Sequence, residues 1–507
     1  MRFKVIIFIL LFCVNGLYPQ DSKKITQKFF PDFDLDIPTP AFNKKKGFTK
    51  YEELISFLDT LQKNYPYVFS YKFIGESQKG KKIPMVFIGN TDNEKPRVCY
   101  MGGLHGNEPA STEGLMFFMY NILNEDSLKS VLEDVNLSII PMANIDGYEI
   151  QDRYAANGQD LNRDQTKLTN PEMRILKKAI NEFNPLVMVD FHEYKPYRVD
   201  FVKFGEYGTT SMFDCMFLYT GNLNVCPSIK ETIENVFLPR AKQQLDTYGL
   251  KYHNYLSSKH KNNKVYFNLG SVSPRSSATS FALGNCISML MEVRGVGLNR
   301  TSFKRRIFTT YSLACSFLTT TIHEESFINE KLISCHDFPE QIVISYKKKK
   351  SPYKLNMIDV YNKNIVPIDI VLHNGLACEA TKTRARPNYY LVEKTLTQVV
   401  EKLSILGLKI DTLHYDELLE VESYIITSQR KSPALFQGFY ENIVTTKLET
   451  KELLFEKGTF VVPMNQQRSN LAVETLEPEM LSGFLRFNVI EPEDISKIHR
   501  YVLNKEL

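Results

Sequence analysis

Short runs of apolar residues recur along the first part of the chain, and helical patterns separate them. The runs cover residues 98–101, 137–142, 186–191 and 287–293. Such runs are typical of interior strands in a largely parallel sheet that is covered on both faces. Between them, residues 109–123 and 171–183 have a helical pattern, and Asn170 and Pro171 suit the N-cap and first position of the second. We therefore predict an α/β fold with a doubly wound, mixed, largely parallel sheet and helices on both faces.

The pattern changes after a boundary at residues 326–352. Four consecutive lysines at residues 347–350 predict a solvated surface or a linker there. Farther along, strand-like runs cover residues 357–372, 423–429 and 436–462, and an amphipathic helical pattern covers residues 394–406. We predict a larger domain at residues 45–325 and a smaller α+β accessory domain at residues 350–507.

The first 20 residues have the pattern of a secretory signal peptide. Arg2 and Lys4 precede an almost wholly apolar stretch at residues 5–14, which is too short to cross a bilayer. Residues 21–45 are polar and contain prolines, which indicates an irregular leader. A capping-box pattern at residues 49–52 then predicts a helix. No other stretch is long and apolar enough for a membrane helix, so we predict a secreted or periplasmic protein without stable membrane insertion.

Composition narrows the choice of protein class. Hydrophobic residues make up 43% of the 507 residues and charged residues 24%, so a folded chain is expected. The net charge of +4 gives no reason to expect nucleic acid as a partner. The cysteines form no Cys-x-x-Cys pair, and Cys99 and Cys286 lie in apolar runs that predict burial. A Cys215–Cys226 disulfide is an open expectation, since spacing alone does not establish it.

Polar residues with catalytic chemistry follow the predicted strands. His105 and Glu108 come after the first run, and His192 and Glu292 come at the ends of later ones. Ligands of a doubly wound fold bind beyond the carboxyl ends of its strands. Two histidines and a carboxylate form a zinc ligand set with one position open for water, and a further carboxylate can act as general base. Each residue alone also fits a structural role, so the prediction depends on their convergence.

The polar loop at residues 141–164 carries a second group of candidates. Arg163 and Asn162 offer a planar guanidinium and an amide that suit a carboxylate. Arg153 could stabilise a developing oxyanion. If the loop stood alone, the interpretation as ordinary surface arginines would be favoured.

The chain resembles the zinc carboxypeptidase family over residues 45–325. The resemblance depends on motifs in a shared order, which are His105-x-x-Glu108, Asn144-x-Asp-Gly147, Asp160-Leu-Asn162-Arg163, His192 and Met291-Glu292-Val-Arg-Gly295. More loosely, residues 384–390 and 474–478 resemble a long bacterial branch of this family with an appended C-terminal domain.

The resemblance implies a role for each matching residue. One Zn²⁺ would be bound by His105, Glu108 and His192. The C-terminal carboxylate of a peptide substrate would be held by Asn162 and Arg163. The scissile carbonyl would be polarised by Arg153, and Glu292 would be the general base.

One loop departs from the family pattern. The best-known members carry a mobile tyrosine before the base, whereas residues 269–280 contain none and the nearest upstream is Tyr266. Arg275 in this loop would favour an acidic substrate group if it lines the side-chain pocket, or it would point to solvent.

These observations predict an exported zinc metallocarboxypeptidase that hydrolyses the C-terminal peptide bond of peptides. Two alternatives stay open. One is a zinc amidase or deacylase on the same fold, acting on a cell-wall peptide or an N-acyl group, and the other is a non-catalytic peptide-binding module. The sequence does not determine the oligomeric state.

Overall fold

A computed structural model describes residues 22–89, 95–261 and 264–502 of the chain, and the structural statements below concern these residues. The predicted signal peptide at residues 1–20 lies outside them. The helices are α1 Lys23–Phe29, α2 Tyr51–Asn64, α3 Pro109–Asn124, α4 Asp126–Lys129, α5 Ile145–Glu149, α6 Pro171–Phe183, α7 Pro227–Thr232, α8 Leu238–Thr247, α9 Ser277–Ala282, α10 Phe303–His323, α11 Glu325–Ile333, α12 Thr397–Ile405 and α13 Ser469–Leu476.

The strands of the first part of the chain are β1 Phe69–Glu76, β2 Lys82–Gly89, β3 Arg97–Gly102, β4 Asn136–Ile140, β5 Val187–Tyr194, β6 Thr209–Thr210, β7 Cys215–Leu218, β8 Tyr252–Asn254, β9 Leu256–Lys261, β10 Lys264–Leu269 and β11 Ile287–Arg294. Those of the C-terminal region, by which we mean residues 341–502, are β12 Gln341–Asp359, β13 Ile365–Ala385, β14 Tyr389–Val392, β15 Asp411–Thr412, β16 Glu417–Lys431, β17 Asn442–Phe455, β18 Phe460–Pro463 and β19 Ile498–Tyr501.

The main sheet has the strand order β1-β2-β4-β3-β5-β11-β7-β8. Its centre, β4-β3-β5-β11, is parallel, whereas β1, β2 and β7 join antiparallel to their inner neighbours. The four apolar runs of the sequence form this parallel centre, where strands are buried on both faces and need no polar alternation. The predicted α/β fold with a mixed, largely parallel sheet is confirmed.

Tyr100 on β3 illustrates how helices cover this sheet. Its ring meets Phe118 of α3 and Phe191 of β5 edge to face, with centroids 5.6 and 5.5 Å away. Its hydroxyl donates to the carbonyl of Ala314 on α10 at 2.7 Å, so the one polar atom of the buried ring is satisfied. Helices α3 and α10 therefore pack together against the strands that precede the candidate site.

The C-terminal region contributes two further sheets. A long hairpin, β12–β13, lies in a five-stranded sheet of order β6-β12-β13-β10-β9. In it, Phe267 of β10 pairs in parallel with Leu372 of β13, so this sheet joins strands from both sides of residue 326. The third sheet has the order β15-β18-β14-β19-β16-β17 and lies wholly within the C-terminal region.

The structure corrects the disulfide expectation. Cys226 bonds to Cys335, 109 residues away, and the expected Cys215–Cys226 bridge is wrong. Cys215 is buried inside β7, between β11 and β8, whereas Cys226 precedes α7 beside the turn that follows α11. Cys99 and Cys286 are buried, as predicted.

Several local expectations also change. Residues 21–45 are not wholly irregular, because they contain α1. The strand pair expected at residues 357–372 is a much longer hairpin, and the four lysines lie inside β12 rather than in a linker. The capping box before α2 uses Glu53, whose carboxylate accepts from the backbone N–H of Lys50, one residue beyond the predicted Glu52. In the described ranges, no helix is both long and apolar enough to cross a membrane.

Candidate active site

Three neighbouring strands bring the candidate ligands and base together. His105 and Glu108 lie between the end of β3 and the start of α3, and His192 lies on β5. Glu292 of β11 is the direct parallel partner of His192. Since the carboxyl ends of parallel strands meet at one edge of the sheet, residues far apart in sequence converge there.

His105, Glu108 and His192 form a compact buried cluster. Their potential ligand atoms all lie within 4.8 Å of one another, and each residue is at most 3% exposed. The Nδ1 atoms of the two histidines are 2.9 Å apart, and each is 2.7 Å from a different oxygen of Glu108. Two ring nitrogens and a carboxylate that face a common point are the donor set of a catalytic zinc site.

The contacts of two aspartates with the histidine rings indicate that this donor set suits a metal ion. Asp160 Oδ1 lies 3.1 Å from Nε2 of His105, and Asp190 Oδ2 lies 2.8 Å from Nε2 of His192. These carboxylates favour the proton on Nε2 of each ring, which leaves the Nδ1 lone pairs directed at the shared point. The residues present therefore fit a divalent cation such as Zn²⁺.

The two glutamates of the site have opposite electrostatic environments. Burial alone would raise the pKa of Glu108, but its interactions with the rings of His105 and His192 outweigh it and hold that pKa well below its usual value. Burial and then repulsion from Glu108 raise the pKa of Glu292 to about 7. One carboxylate is thus kept ionised as a ligand, while the other binds a proton more readily than an ordinary glutamate.

Arg153 lies beside the ligand set in a fixed orientation. Its Nε and Nη2 donate to Asp160 Oδ2 at 3.1 and 2.9 Å, and Nη1 lies 3.2 Å from Nδ1 of His105. Asn144 supports this segment, since its side chain accepts from the N–H of Gly147 and donates to the carbonyl of Tyr154 at 3.1 Å. Asp160 occupies two of the three guanidinium nitrogens, so Nη1 is the nitrogen directed towards the ligands.

Asn162 and Arg163 lie in a short 3-10 turn, Leu161–Arg163, on the same side of the cavity. Asn162 Oδ1 accepts from the backbone N–H of Ser277 at 2.9 Å, and Ser277 Oγ donates to Asp190 Oδ2 at 2.6 Å. Arg163 Nη1 donates to the carbonyl of Asn162 at 2.6 Å. Hydrogen bonds therefore run from Asn162 through Ser277 and Asp190 to the ligand His192.

A cavity of about 520 Å³ joins these groups. Of the candidates from the sequence, it is lined by His105, Arg153, Asn162, Arg163, Arg275 and Glu292. Glu108 and His192 are buried behind this surface. Arg275 is half-buried, and Gln437, Phe436 and Phe487 of the C-terminal region contact its guanidinium.

Sequence reasoning missed several residues of the site. Asp190 is the one charge in the apolar run 186–191, and that exception was a usable signal. No pattern in the sequence indicated Tyr255, which lines the cavity, or residues 355–357, which form part of its wall. The strand β12 that supplies the wall is adjacent to the cavity only because the hairpin folds back on β10 and β6.

The chain is similar to known carboxypeptidases. Residues 54–297 match the family model Peptidase_M14, described as zinc carboxypeptidase. The chain is 25% identical to a carboxypeptidase 2 of Trichophyton rubrum over 505 residues, covering 94% of this chain and 93% of that protein. It is also 25% identical over 468 residues to a carboxypeptidase 2 of Trichophyton equinum, covering 90% and 86%. Among solved structures, it is similar to the carboxypeptidase A of Helicoverpa armigera at 17% identity, 60% and 81% coverage and a TM-score of 0.44.

Proposed function

From the premise that residues 54–297 are a zinc carboxypeptidase domain, we propose that the chain is an exported metallocarboxypeptidase that hydrolyses the C-terminal peptide bond of peptides. The observation that carries the proposal is the common cavity. His105, Glu292 and Arg163 line it, and the other two members of the ligand cluster, Glu108 and His192, lie behind its surface. A peptide end with a carboxylate and an adjacent amide requires these groups together.

The ligand set would hold one Zn²⁺ through Nδ1 of both histidines and the carboxylate of Glu108. Bound there, the ion would supply a Lewis acid and lower the pKa of a water molecule. Asp160 and Asp190 orient the two rings, and Arg153 Nη1 is placed to donate to the scissile carbonyl oxygen as negative charge develops on it.

Glu292 is the proposed general base. It lines the cavity on the strand next to His192, and burial raises the pKa of its carboxyl above the ordinary glutamate value, which makes the carboxylate a stronger base. Its carboxylate takes a proton from the attacking water and passes it to the nitrogen of the leaving residue.

Asn162 and Arg163 are the proposed anchor for the substrate's terminal carboxylate. Arg163 has donors beyond the one used on the Asn162 carbonyl, and Ser277 holds the Asn162 amide oxygen, which directs its NH₂ group elsewhere. Loss of a hydrogen bond to a charged group costs about 1.5–3 kcal/mol, which corresponds to about 10- to 150-fold in affinity.

Two variants test this proposal on C-terminal peptides with the zinc-loaded protein. We expect Glu292→Gln to lose on the order of 10²–10⁴ in kcat while retaining zinc. We expect Arg163→Ala to raise KM by about 10- to 150-fold. Exposed Arg430→Ala is the matched control. Full activity of Glu292→Gln would refute the general base, and absence of stoichiometric zinc in protein purified without chelator would refute the metal site.

An amidase or deacylase on the same fold is the second candidate. It would anchor its substrate elsewhere, so it would tolerate Arg163→Ala and would cleave blocked C-termini as well as free ones. A non-catalytic binding module would bind peptides without turnover. Export is supported by the Cys226–Cys335 disulfide, since such bonds persist in oxidising compartments. Sequencing the N-terminus of the exported protein tests the predicted cleavage after residues 1–20.

A further inference from the structure

Among the described residues, Arg275 makes no ion pair with a carboxylate within 4.0 Å. Its Nη1 donates to Gln437 Oε1 at 2.6 Å, and its Cζ lies 5.0 and 5.2 Å from the ring centroids of Phe436 and Phe487. Its Nε is buried and makes no hydrogen bond among the described residues. A buried guanidinium N–H without an acceptor costs free energy unless a ligand supplies the acceptor.

A second guanidinium lies nearby. Burial and then the positive charge of Arg163 lower the pKa of Arg275 to about 10. Within the described ranges, no carboxylate lies within 4.0 Å of either guanidinium. The cavity therefore holds two neighbouring cations, Arg163 and Arg275, for which the described part of the chain supplies no close ion pair.

One terminal carboxylate would occupy Arg163 and leave Arg275 without an acceptor. A terminal residue with an acidic side chain carries two carboxylates and would satisfy both. We propose that Arg275 binds the side-chain carboxylate of the substrate's last residue, so that the enzyme prefers peptides ending in Asp or Glu. This inference rests on the proposed carboxypeptidase function and names its substrate class.

The C-terminal region sets the position of Arg275. Gln437 lies in the loop between β16 and β17, and Phe487 follows α13, so both approach from outside the zinc carboxypeptidase domain. The two rings restrict the guanidinium plane, and Gln437 occupies one nitrogen, which leaves Nε and Nη2 for a carboxylate. Gln437 is thus a positioning residue for Arg275.

The apolar residues of the cavity wall favour a different substrate, one with an apolar terminal side chain. Phe201, Phe213, Phe267, Leu355 and Met357 line the same cavity and would accept a large apolar side chain. An apolar terminal residue, however, would leave Arg275 desolvated and unpaired. We assign these residues to the rest of the substrate and the charge selection to Arg275.

The test measures binding and turnover separately. It uses tripeptides with a blocked N-terminus and a free C-terminus that end in Glu, Gln, Phe or Lys. Binding is measured by calorimetry on zinc-loaded Glu292→Gln protein, and turnover on the otherwise wild-type enzyme. Glu and Gln have the same shape, so their ratio reports charge alone. We expect the Glu peptide to bind about 10- to 100-fold more tightly than the Gln peptide.

Substitutions at Arg275 and Gln437 locate the cause of this ratio. Arg275→Gln should bring the ratio to about one, and Gln437→Ala should reduce it. Exposed Arg430→Gln on β16 is the matched control and should keep the wild-type ratio.

Equal binding of the Glu and Gln peptides, tighter binding of the Phe peptide, or no binding of any peptide would each overturn the assignment. So would an unchanged ratio in Arg275→Gln. Preferential binding of the Glu peptide without cleavage would support the role of Arg275 and refute the proposed peptidase function. Failure of one claim can therefore be distinguished from failure of the other.

Discussion

Glu474 gives a pH dependence of stability that can be worked out from the structure. It lies on α13 with 2% of its surface exposed, and its Oε1 accepts from Nδ2 of Asn222 at 2.7 Å and of Asn224 at 3.0 Å. Burial raises its pKa from 4.5 to about 7, against the opposing effect of these two hydrogen bonds. The folded protein therefore binds the proton of Glu474 more tightly than the unfolded chain does.

The sign of the effect follows from linkage. A group with a raised pKa in the folded state contributes stability that is complete below the unfolded pKa and is lost as pH rises through the folded pKa. For Glu474 the loss runs from about pH 4.5 to about pH 7. Each pKa unit corresponds to about 1.4 kcal/mol, so the gap between 4.5 and about 7 corresponds to about 3 kcal/mol.

Glu474→Gln removes this titration and keeps an amide oxygen that can accept from Asn222 and Asn224. Between pH 4.5 and pH 8, wild type should lose free energy of unfolding that the variant keeps. We expect this difference to be on the order of 3 kcal/mol at most. Urea unfolding at both pH values measures it, with exposed Glu420→Gln as control. The same pH dependence in wild type and Glu474→Gln would refute the reasoning.

Three further outcomes are expected. Asp190→Asn should weaken zinc binding by about 10- to 100-fold in a chelator competition, because it removes the carboxylate that orients His192; unchanged affinity would contradict this. Cys335→Ser should lower the stability measured by thermal unfolding by about 2–5 kcal/mol, since it opens a disulfide loop of 109 residues, and reductant should then have no further effect. Gly106→Ala should abolish stoichiometric zinc, because a Cβ there would lie 2.1 Å from the carbonyl carbon of Gly147 and displace the ligand loop; a zinc-replete variant would contradict it.

The parallel centre of the sheet could be predicted because its signal is local. Strands such as β5 are buried along their whole length, so their apolar character is visible in consecutive residues. The hairpin β12–β13 gives no such signal. Its exposed positions carry lysines and other polar residues, and its two strands pair mainly with each other, while β10 and β6 pair with only a few of its residues.

The candidate site shows the same difference between features with a local sequence signal and features that depend on long-range contacts. The ligands and Glu292 could be proposed because each follows an apolar run, and strand ends of a parallel sheet converge by geometry. The partners of Arg275 could not, since Gln437 is 162 residues away and lies in a loop without a pattern. Pairing of Cys226 with Cys335 was hidden for a similar reason, because cysteine spacing does not report which segments meet.

The contacts around residues 271–277 indicate how the C-terminal region and the cavity depend on each other. Asn222 Nδ2 donates both to the carbonyl of Val272 and to Glu474, while Gln437 accepts a hydrogen bond from Arg275. The same short segment presents the Ser277 N–H that fixes Asn162. The division of the chain at residues 326–352 stays a prediction. The proposed carboxylate anchor at Asn162 and the proposed side-chain contact at Arg275 both depend on this segment. A change in the C-terminal region would therefore alter substrate binding before it altered the buried zinc ligands.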